Sequence, residues 1–410
     1  RGDFQLAGTQ LLPGTMIGRA LPLVSGLHQV HLSPGYDVAD ALAELQSHPW
    51  VAYAEPDFHI TTSVTPNDAR FDEQWSLDNL GKTGGTIDAD IDALGAWDVH
   101  TGVDWAHPDL AANMWVNQAE AGGLAGVDDD GNGYIDDIHG YDFFNHDGNP
   151  TDDNGHGTHV AGTIGAVGDN NTGVTGVNWD VQIMALKFLG ADGSGSGSDA
   201  IEALQYAVAN GATISNNSYG GDPFSQIFLD AITAARDAGH LFVAAAGNGN
   251  IFGIGIDNDA TPFYPAGYES DNVLAVAAVD HNDQLATFSN YGATSVDVAA
   301  PGVNILSTQP GGGYQLLSGT SMATPHVAGL ASLVWDAKAS WTYDQVIDQI
   351  VNTSDVLPGL SGLLTTGGRI NAATALGNPE PPPPPPPPAT LPHQDDFNDG
   401  TAESFVVRAG

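Results

Sequence analysis

The chain has 410 residues and no cysteine, and its 9 Lys+Arg against 50 Asp+Glu give a formal net charge of −41. Such a charge repels phosphate, which argues against nucleic acid and membrane partners and favours hard divalent cations. The missing cysteines exclude disulfides, Cys-based zinc sites and thiol nucleophiles, while 41% hydrophobic residues suffice for a sizeable core.

In chain order, residues 1–64 read as a small α+β unit. Leu27 to Leu32 alternates like a strand. Asp37 to Gln46 carries Val38, Leu42 and Leu45 at helical spacing, and Val51 to Ala54 is a second strand. From 65 to 377 strands and helices alternate. Val181–Leu189, Leu241–Ala246 and Val273–Val279 are apolar runs of the parallel-sheet kind, and Asp199–Asn210 is an amphipathic helix closed by Gly211. The expected fold is α/β, a mostly parallel central sheet with helices on both faces. Pro379 and the run Pro381–Pro388 make 378–389 a stiff linker, and 390–410 reads as a fragment of a further domain. No apolar run approaches the ~18 residues that span a bilayer. A chain beginning at Arg1 fits a secreted protein whose leader has been removed.

Three long motifs and one strand end carry chemistry. Asp153 to Gly162 sets His156 between Gly155 and Gly157, whose bare backbones allow close approach, and runs on into a helix. Gly319 to Gly329 places Ser321 at a helix start, where free amides and the helix dipole favour developing negative charge. Pro325 is expected to be tolerated there because first-turn N–H groups lack intrahelical partners. Val243 to Asn248 ends a buried strand on an amide side chain. A Ser, a His and an Asn at three element ends are the parts of an acyl-transfer site. His-Val-Ala-Gly occurs at both 159–162 and 326–329. Each is read as helix, with His159, His326 and His107 structural.

The third motif is Asp128 to Asp137. Oxygen ligands at loop positions one, three and five, Gly at six, a carbonyl at seven and Asp at nine describe a calcium loop. The ligands are then Asp128, Asp130, Asn132, Tyr134 and Asp136, with a last carboxylate from Asp137 or Asp142, since position twelve is His139. A solvated acidic turn is the alternative. A second cation site would join Asp109 to the loop 168–173, and Asp147, Asp152 and Asp153 read as solvated.

The long His and Ser motifs resemble those of the subtilisin-like serine proteases, the subtilases, over residues 65 to 377. The resemblance implies His156 as general base, Ser321 as nucleophile and Asn248 as oxyanion donor. It implies that Ser218, Tyr219 and Gly220 pair with an extended polypeptide substrate by strand addition. Val51 to Asp57 resembles the closing strand of subtilase propeptides. Residues 1–64 would then be an intramolecular inhibitor, released near Thr61–Pro66, of a monomeric zymogen.

One part of the family pattern is missing. Ala96 to Gly102 matches the segment before the first central strand, and Thr101 to Leu110 matches the segment just after the family's catalytic Asp, with nothing between. Roughly a dozen residues are lost, about one buried strand, and His100 stands where the Asp belongs. The chain is expected to be a crippled peptidase, or else a non-catalytic relative that binds calcium or peptide.

Overall fold

The computed structural model describes residues 15–20, 28–32, 68–77, 79, 101–221 and 224–377. The chain divides into two compact units, one of them residues 66–384. In the other, β1 (Thr15–Ala20) and β2 (His28–Leu32) pair antiparallel. The helix over 37–46, the strand over 51–54, the linker and residues 390–410 lie outside the described residues, as does the stretch from 96 to 100.

The larger unit is built on a sheet whose strands are short and apolar. β3 (Gly140–Asp142) pairs parallel with β4 (Ala185–Lys187). A second sheet begins with β5 (Ile214–Asn217), β6 (Leu241–Ala245), β7 (Val273–Val279) and β8 (Val298–Pro301), neighbours in that order and all parallel. Next in the chain is a hairpin, β9 (Ile305–Gln309) with β10 (Gly313–Leu317). Last come β11 (Asp355–Val356) and β12 (Gly368–Arg369), with β12 beside β8 and β11 antiparallel at the edge. Among the described residues β4 and β5 are not paired, although both are wholly buried. Phe188 and Tyr219, which lie just beyond them, meet edge to face at 4.8 Å.

The helices are α1 (Gln118–Ala121), α2 (His156–Gly165), α3 (Gly197–Ala209), α4 (Gln226–Asp237), α5 (Thr320–Ala337), α6 (Tyr343–Asn352) and α7 (Ala372–Ala375). The two-residue period of a strand sends alternate side chains to opposite faces. Leu241, Val243, Leu274, Val276 and Ala278 enter a core with Val160, Ile164, Val327 and Val346 from α2, α5 and α6. Phe242, Ala244, Ala275, Ala277 and Val279 enter another with Ala203, Leu204, Tyr206, Phe228 and Ile232 from α3 and α4. The parallel sheet is thus covered on both faces, as the alternation of elements predicts. The expected helix over 199–210 begins two residues earlier, because the Ser196 side chain accepts from Asp199 N and caps α3. The run 181–189 is a strand only over Ala185–Lys187.

Three histidines serve this packing. His159, His240 and His326 are buried, each bonded to a backbone carbonyl, and burial pushes each down to about 4. The folded protein holds them neutral while the unfolded chain takes up protons near 6.5. The unfolded state therefore binds more protons between these limits, and stability falls as pH falls from about 6.5 to about 4. Denaturant midpoints of the Ser321→Ala variant, measured across that range, should decline steadily with acid and be flat above pH 7 as far as these groups contribute.

Candidate active site

α5 starts where Gly319 meets the tip of β6. Ser321 is its second residue and half-buried. Pro325 corrects the sequence expectation. It sits beyond the first turn, so its missing N–H leaves the carbonyl of Ser321 without a helical donor. Ser218 Oγ supplies that donor at 2.9 Å, and Ser321 Oγ in turn donates to Ser218 O at 3.1 Å. The nucleophile candidate and the substrate-segment candidate are tied together by this exchange.

Asn248 is oriented by the same helix start. Thr320 N and Thr320 Oγ1 both donate to its Oδ1, at 2.8 and 3.0 Å. With the carbonyl end committed, the exposed side chain turns its NH₂ donors toward other acceptors. Gly221 exchanges backbone hydrogen bonds with Tyr264 at 2.8 and 3.1 Å, which fixes one edge of the segment 218–221. Tyr219 donates to Asn217 Oδ1 at 3.2 Å, and burial raises its phenol.

His156 is the first residue of α2, after Gly155 at φ +100. A side chain at Gly157 would run into the Gly102 carbonyl and Thr101 Oγ1, and Gly157 N donates to that hydroxyl. Burial holds the His156 imidazole below its ordinary range, opposed by the charge of Asp152. Asp152 is not solvated as the sequence suggests. It is 6% exposed and its carboxylate is folded onto the turn before His156, whereas Asp147 and Asp153 are exposed. A cavity of about 860 Å³ opens beside His156. Ser218–Gly221 and Gly193–Ser198 line it, together with Phe188, Ile201, Phe228 and Tyr268. Such an apolar trough beside backbone edges suits an extended peptide carrying bulky side chains.

In the acidic loop several of the expected ligand carboxylates and amides also accept from backbone N–H groups. Asp128 turns inward and accepts from Gly131 N, Asn132 N and Gly133 N, and Asp136 accepts from Gly126 N. Asn132 Oδ1 accepts from Tyr134 N, and the Tyr134 hydroxyl donates to Glu202 on α3. The carboxylates that converge are Glu120, Asp130 and Asp137, with ligand oxygens within 4.8 Å of one another. Glu120 and Asp137 are 4% and 0% exposed. None of the three pairs with Lys or Arg among the described residues. This all-oxygen, net-negative set fits a hard cation. Asp137 is one of the two candidates for the last carboxylate. Asp142, the other, pairs instead with buried Lys187 at 3.4 Å. Glu120 escapes a reading of the loop because it lies on α1, before the loop begins. Asp109, expected beside the loop 168–173, accepts from Asn170 Nδ2 of that loop and from Val174 N and the Tyr314 hydroxyl.

A serine and a histidine at helix starts, with an oriented amide at a strand tip, are the parts that a serine-hydrolase site requires. The chain belongs to the subtilase family, whose profile matches residues 99–380. It is 38% identical over 352 residues to a thermophilic serine proteinase of Bacillus sp. (strain AK1), covering 83% of this chain and 76% of that one. Subtilisin Savinase of Lederbergia lenta is 44% identical over 224 residues, covering 55% and 78%. Subtilisin-like protease 1 of Plasmodium vivax is 34% identical over 364 residues, covering 84% of this chain and 57% of its own length. The fold is accordingly the α/β subtilisin fold. Among the described residues no helix is long and apolar enough to cross a membrane.

Gly157→Ala should destabilise the protein by about 1–3 kcal/mol, because the backbone carbonyl of Gly102 as well as Thr101 Oγ1 meets the added carbon. Denaturant unfolding of the variant beside the parent measures this.

Proposed function

We propose that this chain is a secreted, calcium-stabilised subtilisin-like serine endopeptidase in zymogen form, slowed by the absence of the triad carboxylate. The observation that supports it best is the reciprocal bonding of Ser321 with Ser218, beside an Asn248 whose carbonyl end is held by Thr320. In this reading an extended polypeptide lies along Ser218–Gly220 and over the apolar trough. Ser321 Oγ attacks its carbonyl carbon as His156 takes the proton. Asn248 Nδ2 and the Ser321 N–H bond the oxyanion, and His156 returns the proton to the leaving amine. Residues 1–64 inhibit until cut near Thr61–Pro66. Calcium, at Glu120, Asp130 and Asp137 and at Asp109, would neutralise buried charge and pin the loops.

His100 cannot imitate a permanent anion. Loss of the orienting carboxylate costs about 10⁴-fold in turnover in such sites. The second reading, a non-catalytic relative that binds peptide and calcium, rests on that same residue.

Intact mass after incubation with calcium, for the parent beside Ser321→Ala, separates the two. Slow loss of the region before residue 65 in the parent alone supports the peptidase. Both chains staying whole, while calcium raises their melting temperature, supports the binding protein. Where cleavage occurs, its rate needs neutral His156. Because burial lowers that imidazole, the acid limb of kcat/KM should fall below 6.5 rather than at or above it. Calcium at a hundredfold excess over its Kd should add about 2.7 kcal/mol of stability. Asp137→Asn should shrink that increment more than Asp128→Asn does.

A further inference from the structure

The turn that presents His156 has a feature that capping alone does not require. A helix leaves its first N–H groups without partners, and Gly155, at the cap position of α2, has no side chain to serve them. Asp152 serves one of them, that of Thr158, together with the turn that leads into the helix. Its Oδ1 accepts from Asn154 N at 2.9 Å and Gly155 N at 2.8 Å, and its Oδ2 from Thr158 N at 2.8 Å and Thr158 Oγ1 at 2.6 Å. Four bonds from one carboxylate bracket His156 on both sides. Thr158 Oγ1 also accepts from Asp104 N at 3.0 Å, which extends the network to the chain just beyond Thr101 and Gly102.

We infer that Asp152 is a positioning residue for His156, fixing the turn that carries the imidazole and placing a buried negative charge beside it. The inference rests on the reading of His156 as the general base. A neutral acceptor would suffice to cap the helix; a carboxylate adds charge. Asp152 is almost wholly buried, so solvent screens that charge little. No Lys or Arg among the described residues pairs with it. The other ionisable groups around the turn are engaged elsewhere. Asp153 lies 3.6 Å from Lys187, Asp104 accepts from Gly311 N, and His159 one turn along is buried and neutral above about 4. The charge of Asp152 opposes the desolvation that disfavours the imidazolium. In a chain with His100 where the triad carboxylate belongs, Asp152 takes over part of that carboxylate's electrostatic work, through charge alone.

The test is a histidine-selective NMR titration of calcium-loaded protein in the Ser321→Ala background, with the His156 resonance identified by its loss in His156→Gln. Asp152→Asn keeps an oxygen for Asn154 N and Gly155 N and removes the charge. It should lower the His156 midpoint, whereas Asp153→Asn should leave it in place. In protein with Asp152 intact, the Asp152 carboxyl carbon should show an inflection at the His156 midpoint that disappears in His156→Gln. An unmoved midpoint in folded Asp152→Asn would overturn the inference. If that variant does not fold, the inflection decides, and its absence overturns the inference equally. Neither readout needs turnover. A chain that shows the coupling but never cleaves would refute the peptidase reading while leaving the charge relation standing.

Discussion

The arrangement of the site depends on one carbonyl. Pro325 removes the N–H that would bond Ser321 O, and in a buried helix an unmet carbonyl carries a cost comparable to a lost hydrogen bond. Ser218 Oγ meets it from the end of the neighbouring strand, β5. The remedy for a helix defect therefore fixes the distance between the residue read as nucleophile and the segment read as substrate edge. Thr320, one residue earlier, turns Asn248 by the same logic. The three parts of the site are registered to one another through the start of α5. That helix can occupy the middle of the core because small and apolar residues surround it on nearly every side.

Charge is the second constraint. A chain at −41 repels itself when compact, and the described structure spends its carboxylates on backbone amides instead of on the few basic residues. Asp128, Asp136, Asp142 and Asp152 all take N–H groups of tight turns. Such turns need little apolar surface to hold their shape. Where three carboxylates converge at Glu120, Asp130 and Asp137, their donors are amides and a phenol, and no Lys or Arg among the described residues pairs with them.

Much of this is legible in the sequence, for physical reasons. The run Val273–Val279 is apolar at every position because both its faces are covered, and it coincides with β7 end to end. The His and Ser motifs can be read because each compresses a glycine approach, a helix start and a reactive group into ten or so contiguous residues. The illegible part lies in partners distant along the chain. Nothing local says that Ser218 serves Pro325, that Glu120 joins a loop eight residues on, or that Asp152 and not Asp153 turns inward. Asp152 and Asp153 are identical in type and adjacent, and only the direction of the turn separates a buried anion from an exposed one.

β4, β5 and the His156 turn border one cavity, through Phe188, Ser218 and His156. β4 and β5 are both buried, yet among the described residues neither pairs with the other. Buried strand edges carry N–H and C=O groups that require partners. Thr101, which lines the cavity with His156 and receives the Gly157 N–H, is where the chain re-enters the site. Thr101 thus helps to hold the His156 turn. A triad carboxylate both aims the ring and balances its charge. Asp152 can do only the second, because both of its oxygens are already committed to the turn. Ser321 and Asn248 are meanwhile held in register by the start of α5.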